Sequence, residues 1–301
     1  MNQKIPFAIA AAALLALPGA ASAQHRVASE QTVGGFVNPE SVGCDVRGKM
    51  LYVGNFGSPK LDPALKDGMG YISKVDLQGK VLEKNFLPAA GGEKLNKPKG
   101  MWVQGGKLWV TDIDVVWEFD LKTRKGRKVA IPGAQFANDP VISEGVLYVS
   151  DNRADQVYTI APADFLGAKK EPAVKTIAQG KGVNPNGLWP QPDGTILMVG
   201  FLAPDKPRAI YQLGLSGQVK QISAPIGRLD GVYRMGDGTL LVTDWNTGSL
   251  FQMNTVTGDT RKLAEGFKGP ADFCVMPSAG GLTVYVPDLV QSQLRIVQLR
   301  K

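Results

Sequence analysis

The sequence predicts an all-β chain folded as a six-bladed β-propeller, with an N-terminal strand closing the last blade. Three observations predict it: a strand phrase repeated six times, a glycine-bearing turn ahead of most copies, and an opening motif recurring about every 46 residues. The phrase reads Leu51-Tyr52-Val53-Gly54-Asn55, then Leu108-Trp109-Val110-Thr111-Asp112 and Leu147-Tyr148-Val149-Ser150-Asp151. It continues as Ile196-Leu197-Met198-Val199-Gly200, Leu240-Leu241-Val242-Thr243-Asp244 and Val284-Tyr285-Val286-Pro287-Asp288. Gly105-Gly106, Asp193-Gly194, Asp237-Gly238 and Gly280-Gly281 supply hairpin residues that tolerate positive φ. A third strand rich in aromatic or β-branched residues follows, as in Val116-Trp117-Glu118-Phe119 and Leu250-Phe251-Gln252-Met253. No stretch sustains an apolar helical period, so short strands with turn punctuation account for the whole chain.

Each unit opens on a short motif. In order these are Pro39-Glu40-Ser41-Val42, Pro98-Lys99-Gly100-Met101, Ala137-Asn138-Asp139, Pro185-Asn186-Gly187-Leu188, Leu229-Asp230-Gly231-Val232 and Pro270-Ala271-Asp272-Phe273. Six four-stranded units arranged radially are how an all-β chain of this size avoids open edges. The last unit ends after its third strand, Gln293 to Leu299, while Val27 to Val33 precedes the first unit unassigned. Pairing that segment with the last blade completes the ring.

Ahead of the repeats, Lys4, an apolar run from Ile5 to Leu17 and Ala21-Ser22-Ala23 have the form of a signal peptide cleaved near Ala23-Gln24. Residues 1–23 are therefore expected to be removed, and residues 24–301 to form a periplasmic or secreted propeller. With 44% hydrophobic residues the chain can bury a sizeable core. The formal charge of +7, from 34 basic and 27 acidic residues, is scattered. Its densest spot, Lys122 to Lys128, reads as a solvated turn and not as a nucleic-acid patch. No later segment resembles a spanning helix, so the expected partner is a small molecule and the expected state a monomer.

The single histidine, His25, lies just past the cleavage point. Its isolation excludes Ser-His-Asp and Cys-His nucleophile systems, histidine zinc sites and histidine general bases. Chemistry must run on carboxylates, amides, lysine or an oxygen-held metal. Cys44 and Cys274, the two cysteines, make no metal motif and permit one disulfide. They follow the motifs of neighbouring blades one residue out of phase. Strand alternation then turns them either toward each other or both away, and the sequence leaves both arrangements open.

The innermost strands of a propeller converge on a channel, so residues just before them ring one mouth. The occupants are Glu40, Lys99, Asn138, Asn186, Asp230 and Ala271. Glu40 and Asp230 bring two negative charges, and Asn138 and Asn186 add neutral oxygens. Such a donor set suits a hard divalent cation, calcium first, with magnesium, manganese or carboxylate-bound zinc as alternatives. Loops from Asn55 to Gly70 and from Phe201 to Arg208 reach the same face, where Trp117, Trp245 and Arg153 stand at loop starts.

These motifs together resemble the SMP-30/gluconolactonase/luciferin-regenerating group of six-bladed propellers, related to diisopropyl fluorophosphatase and paraoxonase. The resemblance implies a catalytic cation held by a Glu of the first blade, Asn residues of middle blades and an Asp of the fifth. Here these fall on Glu40, Asn138, Asn186 and Asp230, and Asp230 is further implied as general base or nucleophile. Sugar-lactonase members usually carry an Arg two residues before the first Asn. Phe136 stands there instead, which points to a less polar ester or lactone. Candidate substrate contacts are Lys99, Phe136, Asp139 and Trp245; Lys99 could stabilise developing negative charge, although an exposed lysine on the rim is the simpler expectation for it. The expected function is a metal-dependent lactone or ester hydrolase; the alternative is a non-catalytic binding propeller with a structural cation.

Overall fold

A computed structural model describes residues 25–301; the expected signal peptide, residues 1–23, lies outside the described residues. Strand β1 (Arg26–Val33) opens the described chain. The first blade is β2 (Pro39–Asp45), β3 (Met50–Asn55), β4 (Tyr71–Val75) and β5 (Val81–Leu87). The second is β6 (Pro98–Gln104), β7 (Lys107–Asp112), β8 (Val115–Asp120) and β9 (Gly126–Ala130). The third is β10 (Ala137–Ser143), β11 (Val146–Asp151), β12 (Gln156–Ala161) and β13 (Ala173–Gln179). The fourth is β14 (Pro185–Pro190), β15 (Ile196–Gly200), β16 (Ile210–Leu213) and β17 (Val219–Gln221). The fifth is β18 (Leu229–Arg234), β19 (Leu240–Asp244), β20 (Ser249–Met253) and β21 (Thr260–Glu265). The sixth is β22 (Cys274–Ser278), β23 (Gly281–Asp288) and β24 (Gln293–Arg300), completed by β1.

All six sheets are four-stranded and antiparallel, and no helix occurs among the described residues. The expected six-bladed propeller is the observed fold. Its strand phrases are the second strands β3, β7, β11, β15, β19 and β23. These read as continuous apolar runs because each lies between two neighbouring blades with both faces covered; β15 and β19 are buried throughout. Outer strands such as β21, with Arg261, Lys262 and Glu265, meet water and alternate accordingly.

The core is a ring of six interfaces, one between each pair of neighbouring blades. Ile72 and Phe119 belong to the interface between the first and second blades, and Trp109 and Tyr158 to that between the second and third. Tyr148 and Met198, Leu197 and Phe251, then Leu241 and Val284 occupy the next three. Val53 and Tyr285 belong to the closing interface between the sixth blade and the first. Because every blade is packed on both sides, the inner strands are held rigidly around the axis.

Two devices close the ring. Strand β1 pairs with β24 from Arg26 opposite Arg300 to Val33 opposite Leu294, the closure expected from the unassigned N-terminal segment. The Cys44–Cys274 disulfide joins β2 to β22, with Cα atoms 5.7 Å apart. Of the two phases left open by the sequence, the thiols therefore take the facing one.

Candidate functional site

Five of the six inner strands carry a β-bulge at the same end. The register slips between Pro39 and Ser41, Pro98 and Met101, Ala137 and Pro140, Pro185 and Leu188, and Leu229 and Val232. Each slip inserts one extra residue and re-aims a side chain out of the ladder. Glu40, Lys99, Asn138, Asn186 and Asp230 are the residues at these slips. In the sixth blade a lone bridge, Pro270 to Asp288, replaces the bulge, and Ala271 packs in a small apolar cluster with Phe56 and Leu289.

The ends of the second strands hold the bulges in place. Asp112 accepts the backbone N–H groups of Asn96 and Lys97, Asp151 those of Gln135 and Phe136, and Asp244 that of Arg228. The preceding hydroxyl reaches across to the next blade. Thr111 donates to the Asn138 carbonyl, Ser150 to the Asn186 carbonyl at 2.6 Å, and Thr243 to the Ala271 carbonyl at 3.2 Å. Glycine after the ring residue permits the close approach of neighbouring inner strands. A Cβ on Gly187 would collide with the Asp230 carbonyl oxygen, and one on Gly100 with the Asn138 backbone.

Glu40, Asn138, Asn186 and Asp230 line one cavity of about 600 Å³ at this mouth. Each presents a buried oxygen without a hydrogen-bond partner: Glu40 Oε2, Asn138 Oδ1, Asn186 Oδ1 and Asp230 Oδ1. Asn152, on the loop after β11, lines the same cavity with a fifth such oxygen, Oδ1. An unsatisfied buried acceptor costs about 1–3 kcal/mol, so several on one cavity require a shared reason. An all-oxygen donor set with two formal negative charges fits a hard divalent cation. Among the described residues no group of three or more His, Cys, Asp or Glu is placed to hold an ion; here half of the donors are amides.

The electrostatics have the same origin. Burial, and then the charge of Asp230, push Glu40 well above the usual carboxylate range, against the pull of Lys99. Burial pushes Asp230 up to about 7, opposed by Arg228 and by the Trp245 Nε1–H, which donates to Asp230 Oδ2 at 2.8 Å. Two carboxylates in so dry a place resist joint ionisation unless a positive charge lies between them.

The remaining candidates divide. Phe136 and Trp245 line the cavity, and so does Arg153. Lys99 sits on the bulge ring but is wholly buried, not a rim lysine; its Nζ lies 4.3 Å from the Phe136 ring centroid. Burial drags its pKa down to about 8, with Glu40 opposing. Asp139 belongs elsewhere. Its Oδ2 accepts the Leu188 N–H at 2.6 Å, and with Asp272 it borders a separate cavity of about 170 Å³ farther along the inner strands. Trp117 stacks on Phe119 in the interface of the first two blades, away from the mouth.

Both long loops contribute. Phe56, Leu61 and Pro63 come from one; Phe201, Leu202 and Ala203 come from the other. The first is pinned by Lys97, which is buried and donates to Ser58 Oγ at 2.9 Å and Asp67 Oδ1 at 2.6 Å. Arg228, Asn152 and Asn184 also line the cavity and escaped the repeat-based reading. A usable signal existed for two of them. Asn184 and Arg228 stand two residues before Asn186 and Asp230, the offset that places Phe136 before Asn138.

Fold and site define a six-bladed propeller with an oxygen-lined pocket at one channel mouth. The sequence matches no protein-family model and no curated relative. Solved structures are similar in fold. A putative gluconolactonase shares 14% identity at a TM-score of 0.65, over 92% of this chain and 99% of that one. A gluconolactonase from Xanthomonas campestris shares 13% at 0.63, over 91% of both chains. A virginiamycin B lyase from Staphylococcus aureus shares 12% at 0.60, over 92% of this chain and 100% of the other. At such identities the likeness concerns the fold.

Proposed function

We propose that this protein is a secreted, metal-dependent hydrolase of the gluconolactonase-like group, acting on a lactone or a related ester. The observation that carries the reading is that four of the cavity's unpartnered oxygens come from one repeat position, the bulge ring, in four different blades. Glu40, Asn138, Asn186 and Asp230 would hold the cation, calcium being the best match to an all-oxygen, flexible donor set. When bound, such an ion supplies Lewis acidity to the carbonyl oxygen under attack. The chain's own residues supply the rest. Asp230 Oδ2, fixed by Trp245 Nε1, keeps a lone pair to take the proton of the attacking water and return it to the departing alkoxide. The products are then a carboxylic acid and an alcohol, joined in one molecule when the substrate is a lactone. Phe136, Phe201 and Trp245 exclude water and seat an apolar body. The Cys44–Cys274 disulfide supports an oxidising compartment, in keeping with the signal-like N-terminal sequence.

The test combines elemental analysis of purified protein with a panel of lactones and aryl esters before and after chelation. Hydrolysis should disappear with chelator while the far-ultraviolet circular dichroism persists, and calcium should restore it. Asp230→Asn should abolish turnover. A tightly held cation with no hydrolysis across the panel would favour the binding-propeller reading, and hydrolysis that survives chelation would remove the metal from the chemistry.

A further inference from the structure

Several arginines elsewhere in this molecule are engaged by the protein itself. Arg124 pairs with Glu83 at 2.6 Å, Arg127 donates to the Phe165 and Ala168 carbonyls, and Arg208 donates to Asn184 Oδ1 at 2.9 Å. The two at the cavity are different. Neither the Arg153 nor the Arg228 guanidinium donates to any protein group among the described residues, and Arg228 Nε is buried without a partner. Each lies instead over aromatic faces. Arg153 Cζ is 4.2 Å from the Phe136 ring centroid, and Arg228 Cζ is 4.3 Å from that of Phe201 and 5.3 Å from that of Trp245. Stacking occupies the face of a guanidinium and leaves its in-plane N–H edge to grip a planar anion. The nearby acid Asp244 does not compete for that edge. Its Oδ1 accepts the backbone N–H groups of Arg228 and Asn246, and its Oδ2 the N–H and hydroxyl of Thr247.

Charge points the same way. Glu40 and Asp230 are offset by the divalent cation proposed above, and Asp244 balances one guanidinium from a distance without a hydrogen bond to it, so Arg153 and Arg228 together still face the cavity with positive charge in excess, with Lys99 behind Phe136. Leu61, Pro63, Leu202 and Leu289 give the other walls an apolar surface for a substrate's body, and beyond the bulge ring the uncharged polar side chains there are the amides of Asn152 and Asn184. We infer that the pocket takes an organic anion: an ester or lactone whose apolar or aromatic body carries a carboxylate, gripped by Arg228 with Arg153 at the rim. This inference rests on the hydrolase reading for the word substrate, but the anion grip itself can be measured without turnover.

The experiment uses the full calcium-loaded protein and a matched pair of ligands, 2-naphthoate and 2-naphthamide, with binding followed by calorimetry. Naphthoate should bind at least tenfold more tightly than the amide, and the preference should shrink at high salt. Arg228→Met should bring the pair within about twofold, and Arg153→Met should reduce the preference in part. Arg228→Gln, which keeps polarity and most of the volume, serves as a second variant; calcium affinity and melting temperature check its integrity. Equal binding of the two ligands by the wild type, or no binding of either, overturns the inference. So does a preference that survives in both Arg228 variants, because the carboxylate would then sit on the cation. Naphthoate preference without hydrolysis of any ester would leave the anion grip standing and remove the hydrolase. Hydrolysis of neutral esters with no anion preference would do the reverse.

Discussion

Asn138 shows what a single residue contributes here. Its backbone is held from the neighbouring blade by the Thr111 hydroxyl, and its Oδ1 is buried with no protein partner. An amide kept in that state is costly to the folded chain by itself and useful to a ligand. Asn138→Leu, with the same number and branching of side-chain heavy atoms, should therefore separate the two roles. The chelated variant should melt no lower than the chelated wild type, while calcium affinity should fall at least tenfold by titration calorimetry. A variant that melts lower without calcium and binds it normally would show that the oxygen serves the fold. Thr111, Ser150 and Thr243 explain why the strand phrase so often ends in a hydroxyl and an Asp. That ending was legible in the sequence, but its purpose was not, because its partners lie a blade away or an unknown turn earlier.

At the scale of elements, ring closure depends on β1 and on the disulfide. Strand β1 is mostly exposed, so it contributes backbone pairing to β24 more than apolar burial. Deleting residues 24–34 strips a paired edge from the sixth blade and exposes β24 to other chains. The truncated protein should melt several degrees lower and aggregate on heating; light scattering during a thermal ramp checks both, and a superimposable melt would contradict the role given to β1. The disulfide spans a sequence separation of 230 residues. Cross-linking so long a loop restricts the unfolded chain by roughly 5 kcal/mol in the chain-entropy account. Cys44→Ser with Cys274→Ser should lower the urea midpoint accordingly and leave calcium affinity near its original value.

For the whole molecule, the channel concentrates buried acids. Burial pushes Glu40, Asp139, Asp272 and Asp230 upward, with like charges adding to the first three, and Asp230 reaches about 7. Carboxylates that titrate near 4 in the unfolded chain thus hold their protons longer when folded. Their stabilising effect is complete below the unfolded value and is lost as pH rises through the folded ones. Lys99, lowered to about 8, remains protonated in both states below neutrality and adds no slope there. The chelated protein should accordingly lose stability between pH 5.5 and 7.5. Calcium should stabilise it more at pH 7.5 than at 5.5, since the ion displaces those protons. Calorimetric melts with and without calcium at the two pH values decide it; a chelated protein more stable at pH 7.5 would refute the buried-acid account.

The sequence by itself determined the all-β class, the number of blades, the closing role of the N-terminal segment and the ring position that carries Glu40, Asn138, Asn186 and Asp230. All of these are properties of a repeat, and a repeat places equivalent residues at equivalent points about one axis whatever the packing details. Tertiary structure alone decided the rest. The Cys44–Cys274 pairing depended on the relative rotation of two blades, which strand alternation leaves twofold ambiguous. Lys99 is covered instead of exposed because Phe136 and Phe56, from other blades, close over it. Asp139 turns away from the mouth because the Leu188 N–H takes its carboxylate. Arg228 reaches the cavity because Phe201 and Trp245, distant in sequence, offer it their faces. Contacts between blades are set by side-chain shape across an interface, and no single blade's sequence contains the other half.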